Sequence, residues 1–205
     1  MNKKSLIRKF DRQSARYEES TRKRMLGAWR SRLLEDVNGE VLEIAVGAGA
    51  NFPYYNMDRV RLTAADFSPM MLQRASRIAD ELGIQVQFIE SDIETLDFPD
   101  HSFDCVVSTL SLCGYDDPVR VLSSIRRWVK PGGRVYLLEH GLGSNILLKS
   151  AQYVANPFAR QMSGCNWNRN IIQIVNQSGL RIQRMERYWS GMMYLIWAES
   201  VQAAK

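Results

Sequence analysis

Acidic residues lie in or directly after apolar, β-branched segments at three points of the chain, and two glycines follow the first segment. Glu43 lies within V-L-E-I-A-V, and Gly47 and Gly49 come directly after it. Asp66 ends the segment R-L-T-A-A-D, and Asp92 follows V-Q-F-I-E-S. Glycines at such a turn let the backbone approach a ligand closely, and carboxylates accept hydrogen bonds from hydroxyl and ammonium groups. This pattern predicts a binding site for a polar small molecule.

Each of these acids also has a structural interpretation, and the sequence leaves both open. Glu43 is costly to bury alone, so it either pairs with a structural Lys or Arg or serves a cationic ligand. Asp66 stands about 20 residues past the glycine turn, where an acid can bind both hydroxyls of a ribose. The stretch D-F-S-P is also a helix start with Ser68 as its N-cap. Asp92 is either a ligand contact or a solvated loop acid.

The glycine turn lacks the third glycine of a dinucleotide-binding fingerprint. Phe52 stands at that position and Pro53 follows it, which disfavours a pyrophosphate at a helix N-terminus and therefore NAD. The acids and glycines together describe a ligand with a ribose, a hydrogen-bonding base and a cationic end, but no phosphate. S-adenosylmethionine matches that description.

The elements that must position these residues alternate between strand and helix patterns. This alternation predicts an α/β fold with a parallel sheet covered by helices on both faces. The last two predicted strands are joined through Ser190-Gly191, so we expect them to form an antiparallel hairpin. The predicted strands are residues 41–46, 61–65, 86–90, 105–109, 134–139, 180–189 and 192–199, and the predicted helices are residues 68–82, 118–129 and 168–177.

We interpret the whole chain, residues 1–205, as a single domain. Apolar residues at helical spacing, including Phe10, Met25 and Leu33, predict helices at the N-terminus. Residues 141–167 are rich in Asn, Ser and aromatic residues, and we expect an irregular insertion over the carboxyl edge of the sheet. The four predicted parts are an N-terminal helical lid (1–36), a cofactor-binding core (37–140), a substrate-lid insertion (141–167), and a C-terminal helix with a β-hairpin (168–205).

The composition is that of a soluble globular domain, with 45% hydrophobic residues, 24% charged residues and a net charge of +5. Three cysteines without metal-binding spacing predict no metal site and a reducing compartment. No apolar run approaches the roughly 20 residues of a transmembrane helix, so we expect a cytoplasmic protein. A weak, peripheral membrane contact is expected at most from the basic helix near residues 3–16. Because the basic residues are scattered over amphipathic helices, nucleic acid is not an expected partner.

Four motifs in fixed order carry a resemblance to a known family. They are V-L-E-I-A-V-G-A-G, A-A-D-F-S-P-M-M-L, E-S-D-I-E-T-L-D-F-P-D-H-S-F-D and V-K-P-G-G-R-V-Y-L-L-E-H. The chain resembles class I S-adenosylmethionine-dependent methyltransferases. The resemblance implies a Rossmann-like sheet of seven strands, mostly parallel with an antiparallel last strand, and helices on both faces. It also implies S-adenosylmethionine as the cofactor and S-adenosylhomocysteine as its product.

The resemblance assigns roles to the first motif. Glu43 is its acid, near the methionine amine of the cofactor and the glycine turn. Gly47 and Gly49 are its last two glycines, and Ala45 replaces the first glycine. We expect cofactor binding to survive this replacement.

The later motifs supply the remaining cofactor contacts in the resemblance. Asp66 matches the acid that binds the ribose, and Phe67 lies beside the adenine. Asp92 and the backbone of Ile93 contact the adenine edge. Two residues after the fourth strand lie along the cofactor by the methionine amine, namely Thr109 and Leu110.

A narrower resemblance concerns the methyl acceptor. G-A-N-F-P-Y-Y, S-T-L-S-L-C, Y-L-L-E-H and N-P-F-A-R-Q-M-S-G-C-N-W-N-R are similar to the methyltransferase-like thiol S-methyltransferases of animals. Phospholipid N-methyltransferases and quinone C-methyltransferases of the UbiE type share the same core. The narrower resemblance implies a small-molecule or lipid-like acceptor, with a thiol first and a phospholipid amine or quinone carbon as alternatives. A non-catalytic S-adenosylmethionine-binding protein is a more distant alternative.

Methyl transfer from a sulfonium is a direct displacement, so the protein chiefly aligns the reactants. If a base is used, His140 is the best placed, at the end of the fifth strand; the alternative is a structural histidine. Cys113 and Cys165 are interpreted as packing residues. The residues expected to bind the acceptor are Tyr17, His140, Asn166, Trp167 and Arg169.

Overall fold

The computed structural model describes residues 3–22, 24 and 26–200. The remaining positions, among them Met25 of the predicted lid and residues 201–205 of the predicted C-terminal part, lie outside the described residues. None of the described helices is both long and apolar enough to cross a membrane.

The described residues form one sheet of seven strands: β1 (Gly39–Ile44), β2 (Val60–Asp66), β3 (Val86–Glu90), β4 (Phe103–Thr109), β5 (Val129–His140), β6 (Leu180–Tyr188) and β7 (Met193–Ser200). Their spatial order is β3-β2-β1-β4-β5-β7-β6. Strands β1 to β5 are parallel, whereas β7 pairs antiparallel with both β5 and β6. The Rossmann-like, seven-stranded prediction is therefore confirmed, and β7 is its antiparallel strand.

Helices cover both faces of this sheet, as the alternating pattern predicts. Within the described residues they are α1 (Lys3–Arg22), α2 (Gly27–Leu34), α3 (Pro69–Leu82), α4 (Pro118–Trp128), α5 (Ile146–Ser163) and α6 (Ile171–Gln177), with a 3-10 turn at Phe52–Tyr54. Leu42 and Ile44 of β1 pack with Ile125 of α4 in one hydrophobic cluster. Val41 points to the other face and packs with Leu33 of α2 in a second cluster. Alternation along β1 therefore places Glu43 on the Val41 face.

Two helices begin at capping residues that the sequence contains. Ser68 Oγ accepts a hydrogen bond of 3.1 Å from Met71 N at the start of α3. Asp117 Oδ1 accepts one of 3.0 Å from Arg120 N at the start of α4. Each side chain satisfies a backbone donor that the first helical turn leaves unpaired. The predicted helices at these positions are confirmed.

The expectation of an irregular insertion at residues 141–167 is wrong, because most of it is the helix α5. Asn145 Oδ1 caps the helix by accepting a hydrogen bond of 2.7 Å from Leu148 N, and Gly164 ends the helix with a left-handed φ of +82°. Pro157 lies inside the helix. Because the large apolar side chains of α5 face outward, the segment lacks the core-facing period that identifies a helix from sequence.

The predicted N-terminal helical region is two helices, which are separated at Leu26 with its left-handed φ of +58°. Several strand boundaries differ from the sequence prediction by a few residues, and β5 differs most. Strand β5 begins at Val129 rather than residue 134: Val129 pairs with Phe103, and Arg134 pairs with Cys105. This irregular register accommodates Pro131 and two glycines that would otherwise end a strand.

Candidate cofactor and acceptor site

The glycine turn after β1 faces the acid that ends β2. Gly47 N donates 2.9 Å to Asp66 Oδ2, and Ser68 N donates 2.9 Å to Asp66 Oδ1. Gly47 and Gly49 have left-handed φ values of +56° and +77°. A Cβ on Gly49 would lie 2.7 Å from the Phe52 ring, whereas a Cβ on Gly47 would meet no atom within 4 Å. Gly47 therefore borders open space beside Asp66.

Burial controls the protonation of Asp66, which is 5% exposed. Burial raises its pKa to about 6, while the hydrogen bonds from Ser68 N and Gly47 N act in the opposite direction. A carboxylate has about four lone-pair sites, so the two backbone bonds leave capacity for the two hydroxyls of a ribose. The open space at Gly47 and this acceptor capacity fit the ribose of S-adenosylmethionine. Ser68 caps α3 at the same time, so the two interpretations of D-F-S-P are compatible.

Ala45, where the family pattern has glycine, takes the backbone conformation of a glycine. Its φ is +49°, a region that costs an L-residue about 1–2 kcal/mol. Val46 N donates 3.1 Å to Ala65 O and so ties the strained turn to β2.

Glu43 is held inside the protein and is 1% exposed. Asn51 Nδ2 and Tyr55 Oη each donate 2.8 Å to its carboxylate. Burial raises the pKa of Glu43 to about 7, opposed by the hydrogen bond from Tyr55 and the charge of Arg30. Arg30, itself buried, donates to Asn51 Oδ1 and to Thr109 Oγ1. The structure therefore shows the interpretation in which Glu43 is balanced by a structural Arg; its contact with the methionine amine stays a prediction.

The loop after β4 is held by a second buried acid. Glu139, which is 0% exposed, accepts hydrogen bonds from Ser108 Oγ at 2.8 Å, Ser111 N at 3.1 Å and Leu112 N at 3.2 Å. Burial raises its pKa to about 7. Leu110 in this loop has φ of +56° and donates 2.7 Å to Leu138 O.

The other predicted cofactor residues lie along the same carboxyl edge. Asp92 Oδ1 accepts a hydrogen bond of 3.1 Å from Glu94 N. Ile93 is 2% exposed, and its side chain packs in the core. The Phe67 ring meets Phe10 of α1 edge-on, with centroids 5.4 Å apart. Their contacts with the adenine stay predictions.

Helix α1 contacts this edge, and its role as a lid stays a prediction. Asp11 Oδ1 accepts a hydrogen bond of 2.6 Å from Ser68 Oγ, next to Asp66. Glu18, which is 9% exposed, is paired with Arg74 of α3 and with Arg22 at 3.1 Å. Burial raises the pKa of Tyr17 to about 12, aided by the charges of Cys165 and Cys113 and more weakly by Asp66. The Tyr17 ring lies 6.1 Å from that of Phe10, which in turn meets Phe67 next to Asp66.

On the acceptor side, His140 lies beside the two cysteines that were interpreted as packing residues. Cys113 is 2% exposed, but Cys165 is only partly buried, so the expectation of burial is wrong for Cys165. Hydrogen bonding from Cys113 and from His140 lowers the pKa of the Cys165 thiol, although its partial burial acts in the opposite direction. The pKa of Cys113 is raised by its interaction with Cys165 and by burial.

The structure divides the remaining predicted acceptor residues. Asn166 and Arg169 line a polar cavity of about 410 Å³, together with Arg160 and Asp116. Arg169 Nη2 donates to Tyr115 O, and its buried Nε finds no hydrogen-bond partner among the described residues. Tyr17 and His140 do not line this cavity. Trp167 is 44% exposed on the surface next to it.

Several residues that build the site were not identified from sequence. Glu139 carries the same signal as Glu43, a lone carboxylate at the end of an apolar strand, and could have been found by it. Arg30 and Asn51 carry no such signal, because they meet Glu43 only through the fold. Cys113 and Cys165 come from distant segments, so cysteine spacing could not show their proximity.

Comparison with known proteins finds a methyltransferase domain in the middle of the chain. Residues 42–137 match a family model described as a methyltransferase domain. The chain is 26% identical to the mitochondrial methyltransferase OMS1 of Saccharomyces cerevisiae, over 85% of this chain and 41% of that protein. It is 35% identical to a phosphatidylethanolamine N-methyltransferase of Cereibacter sphaeroides, over 64% of this chain and 63% of that protein. It is 33% identical to a demethylmenaquinone methyltransferase of Thermus thermophilus, over 63% of each chain.

Solved structures share the fold at low sequence identity. An S-adenosylmethionine-dependent methyltransferase from Mesorhizobium loti superposes with a TM-score of 0.66 and 18% identity, over 83% of this chain and 95% of that chain. A chain from the Haloferax volcanii complex of the Trm112 activator with a methyltransferase superposes with a TM-score of 0.73 and 17% identity, over 94% of this chain and 98% of that chain. The matched region spans 41% to 63% of the length of the three curated relatives. The matched domain and the fold are those of class I S-adenosylmethionine-dependent methyltransferases, which implies S-adenosylmethionine as the cofactor.

Proposed function

We propose that this chain transfers the methyl group of S-adenosylmethionine to a small, partly apolar acceptor, and that the acceptor atom is a thiol sulfur. The observation that carries the proposal is that β2, which ends at Asp66, and β5, which ends at His140, are parallel strands of one sheet, so both residues lie at its carboxyl edge. The aromatic rings of α1 lie at this edge as well, since Tyr17 is 6.1 Å from Phe10 and Phe10 is 5.4 Å from Phe67, next to Asp66, between ring centroids. S-adenosylmethionine supplies an activated methyl group, so alignment is the main task of the protein.

A thiol acceptor fits the residues on this side of the site. A free thiol has a pKa near 8.5, so a useful fraction ionises at neutral pH without a strong base. His140, at the end of β5, is placed to accept the remaining proton. The loop at Leu110, fixed by Glu139, borders the same edge.

The outer face of α5 supports an acceptor with an apolar part. Val154, Phe158 and Met162 recur every four residues and are 76%, 70% and 78% exposed. Lys9 of the basic helix α1 donates 2.6 Å to Gln161 O near the end of α5. An apolar helix face beside a basic helix suits the surface of an anionic membrane. We therefore propose that the acceptor reaches the site from a membrane surface, between α1 and α5.

A phospholipid amine is the second candidate acceptor. The polar cavity carries Arg160 and Arg169, and the buried Nε of Arg169 is a donor suited to a phosphate oxygen. The similarity to a phosphatidylethanolamine N-methyltransferase supports the same candidate.

The acceptor is tested with purified protein and methyl-labelled S-adenosylmethionine. The panel contains alkyl and aryl thiols, phosphatidylethanolamine vesicles and a demethylated quinol. We expect label on an apolar thiol, and much less with Asp66→Asn. Label on lipid or quinol alone would replace the thiol, and no label on any acceptor despite cofactor binding would refute the methyl-transfer proposal.

The membrane route has its own test. Sedimentation with anionic and with neutral vesicles should show binding to the anionic ones, weakened in a Val154→Ser/Phe158→Ser variant. Equal binding by the variant and the unaltered protein would refute a role for α5.

A further inference from the structure

Three metal-ligating side chains from separate segments meet at the carboxyl edge of the sheet. Cys113 follows β4, His140 ends β5 and Cys165 follows α5. Their two Sγ atoms and one ring nitrogen lie within 4.8 Å of one another. Cys113 is buried, whereas His140 and Cys165 are partly accessible. The methyl transfer proposed above uses only His140 of these three.

Hydrogen bonds fix the segments that carry this cluster. Asn166 donates to Cys113 O twice, from its backbone N and from Nδ2, each at 2.9 Å. Gln152 of α5, which is 8% exposed, donates from Nε2 to Gly141 O at 3.0 Å and to Trp167 O at 3.1 Å. The residues next to all three side chains are therefore tied together by the protein itself, which is how a metal site is preorganised.

The chemistry of the cluster selects zinc among the common metal ions. Thiolates and imidazole together suit Zn²⁺, whereas Mg²⁺ and Ca²⁺ prefer oxygen ligands. Tetrahedral Zn²⁺ holds sulfur at about 2.3 Å and nitrogen at about 2.0–2.1 Å, so its ligand atoms lie roughly 3.5–3.8 Å apart. The ligand atoms would need to approach one another by about 1.0–1.3 Å at most, which side-chain torsions allow. Two thiolates would balance the charge of the ion.

We propose that Cys113, His140 and Cys165 bind a zinc ion whose fourth coordination position is open to the acceptor. Three protein ligands and one exchangeable position characterise catalytic zinc sites, whereas structural sites have four protein ligands. Cys113 and His140 follow β4 and β5, so the ion would lie at the same carboxyl edge of the sheet as Asp66.

The consequence for the reaction rests on the proposed thiol acceptor. The acceptor thiol displaces a water molecule from zinc and loses its proton to solvent, because a coordinating thiol is deprotonated. A lone pair of the thiolate sulfur forms the bond to the methyl carbon. The bond from that carbon to the sulfonium breaks, and its electron pair stays on the sulfur of S-adenosylhomocysteine. The neutral thioether leaves, water returns, and His140 serves as a ligand instead of a proton acceptor.

Metal content is the first test. Protein from zinc-supplemented medium, purified with a phosphine reductant and without chelator, should carry about one zinc ion per chain. Cys165→Ser, Cys113→Ala and His140→Ala should each lower the zinc content about tenfold or more. Matched controls outside the cluster should keep it, namely Cys105→Ala and His101→Ala.

Cobalt substitution gives a readout that does not depend on activity. Co²⁺ added to zinc-free, reduced protein should produce thiolate charge-transfer absorption, which Cys165→Ser weakens and Cys105→Ala leaves unchanged. Circular dichroism melting curves verify that each variant is folded. The zinc site would be overturned if the protein bound neither metal or if the cluster variants bound metal equally well. A Cys113–Cys165 disulfide in anaerobically purified protein would overturn it as well. If His140→Ala keeps its zinc but loses turnover, the three-ligand site is wrong and His140 is a general base.

The two proposals can fail separately. If zinc is bound and label appears only on lipid or quinol, the zinc site stands and the thiol acceptor is refuted. If thiols are methylated equally by zinc-free protein, the thiol acceptor stands and the proposed role of zinc in the reaction is refuted. Calorimetric titration of S-adenosylmethionine should give the same Kd for zinc-bound and zinc-free protein, because the cluster does not contact the ribose acid.

Discussion

Replacing Asp66 by Asn removes one charge from the cofactor edge and keeps the size of the side chain. Both carboxylate oxygens accept backbone hydrogen bonds of 2.9 Å, from Gly47 N and Ser68 N. An asparagine there must turn its amide nitrogen toward one of these donors, and it offers the ribose hydroxyls a weaker acceptor. A hydrogen bond to a charged group contributes about 1.5–3 kcal/mol, so Kd for S-adenosylmethionine should rise roughly 10- to 150-fold.

The raised pKa of Asp66 adds a dependence on pH with a definite sign. Burial raises that pKa to about 6 in the free protein. Ribose hydroxyls donate to the ionised form, so cofactor binding favours the carboxylate and lowers its pKa. Affinity should be nearly constant above pH 7 and fall about tenfold by pH 5, because Asp66 is then protonated and must release its proton before the cofactor binds. Folding responds in the opposite direction, because ionisation of a buried acid with a raised pKa removes stability as pH rises toward 6.

Isothermal calorimetry between pH 5 and pH 8 measures both effects. Asp66→Asn should show the weaker affinity at pH 8 and lose the part of the pH dependence that is centred near 6. Glu43, whose pKa burial raises to about 7, titrates nearby, and the Asn variant separates its contribution. Asp80→Asn, an exposed acid on α3, is the matched control and should bind normally. Unchanged affinity in Asp66→Asn, or an affinity independent of pH in the unaltered protein, would refute the ribose assignment.

Three further substitutions test the lid, the turn and the second acid. Glu18→Gln breaks the ion pair with Arg74, which should cost about 1–2 kcal/mol of the local stability of α1 and speed up its hydrogen exchange about tenfold. An unchanged exchange rate would mean that other contacts hold α1. Ala45→Gly removes about 1–2 kcal/mol of left-handed strain and adds about 0.5–1 kcal/mol of unfolded-state entropy, so Tm should stay equal or rise slightly, and a clear drop would contradict the strain. Glu43→Gln removes a buried acid whose pKa is raised to about 7, so that its ionisation in the folded protein costs about 3 kcal/mol. The free energy of unfolding of the variant in urea, relative to that of the unaltered protein, should therefore increase from pH 5 to pH 8. A constant difference would show that Glu43 does not titrate in this range.

The meeting of the glycine turn with Asp66 at one edge of the sheet was predictable from sequence because its signals are local. Strand periodicity, the glycine pair and an acid at the end of β2 all lie within short segments, and Ser68 caps α3 as its sequence predicts. The fold followed for the same reason, since alternating strands and helices leave few arrangements of a parallel sheet.

The acceptor side was not predictable because its signals are long-range. Helix α5 presents Val154 and Phe158 outward, so its apolar pattern does not match that of a helix packed on a core. Cys113, His140 and Cys165 are brought together by three different segments, and each alone resembles an ordinary packing or loop residue. A sequence shows which residues can do chemistry, but their meeting depends on loop paths that no local pattern determines.

The two buried acids of the sheet explain how these loop paths are fixed. Glu43 near the end of β1 accepts from Asn51 and Tyr55 of the segment after the glycine turn, and Glu139 near the end of β5 accepts from the loop after β4. Asn51 Nδ2 also lies 3.2 Å from Thr109 Oγ1, so the two loops are joined. Burial of each acid is costly, as its raised pKa shows. In return, each acid holds backbone or side-chain donors in fixed positions at the cofactor and acceptor sides of the site. Their role is therefore to position the site, and substitutions at either acid should disturb both of its sides.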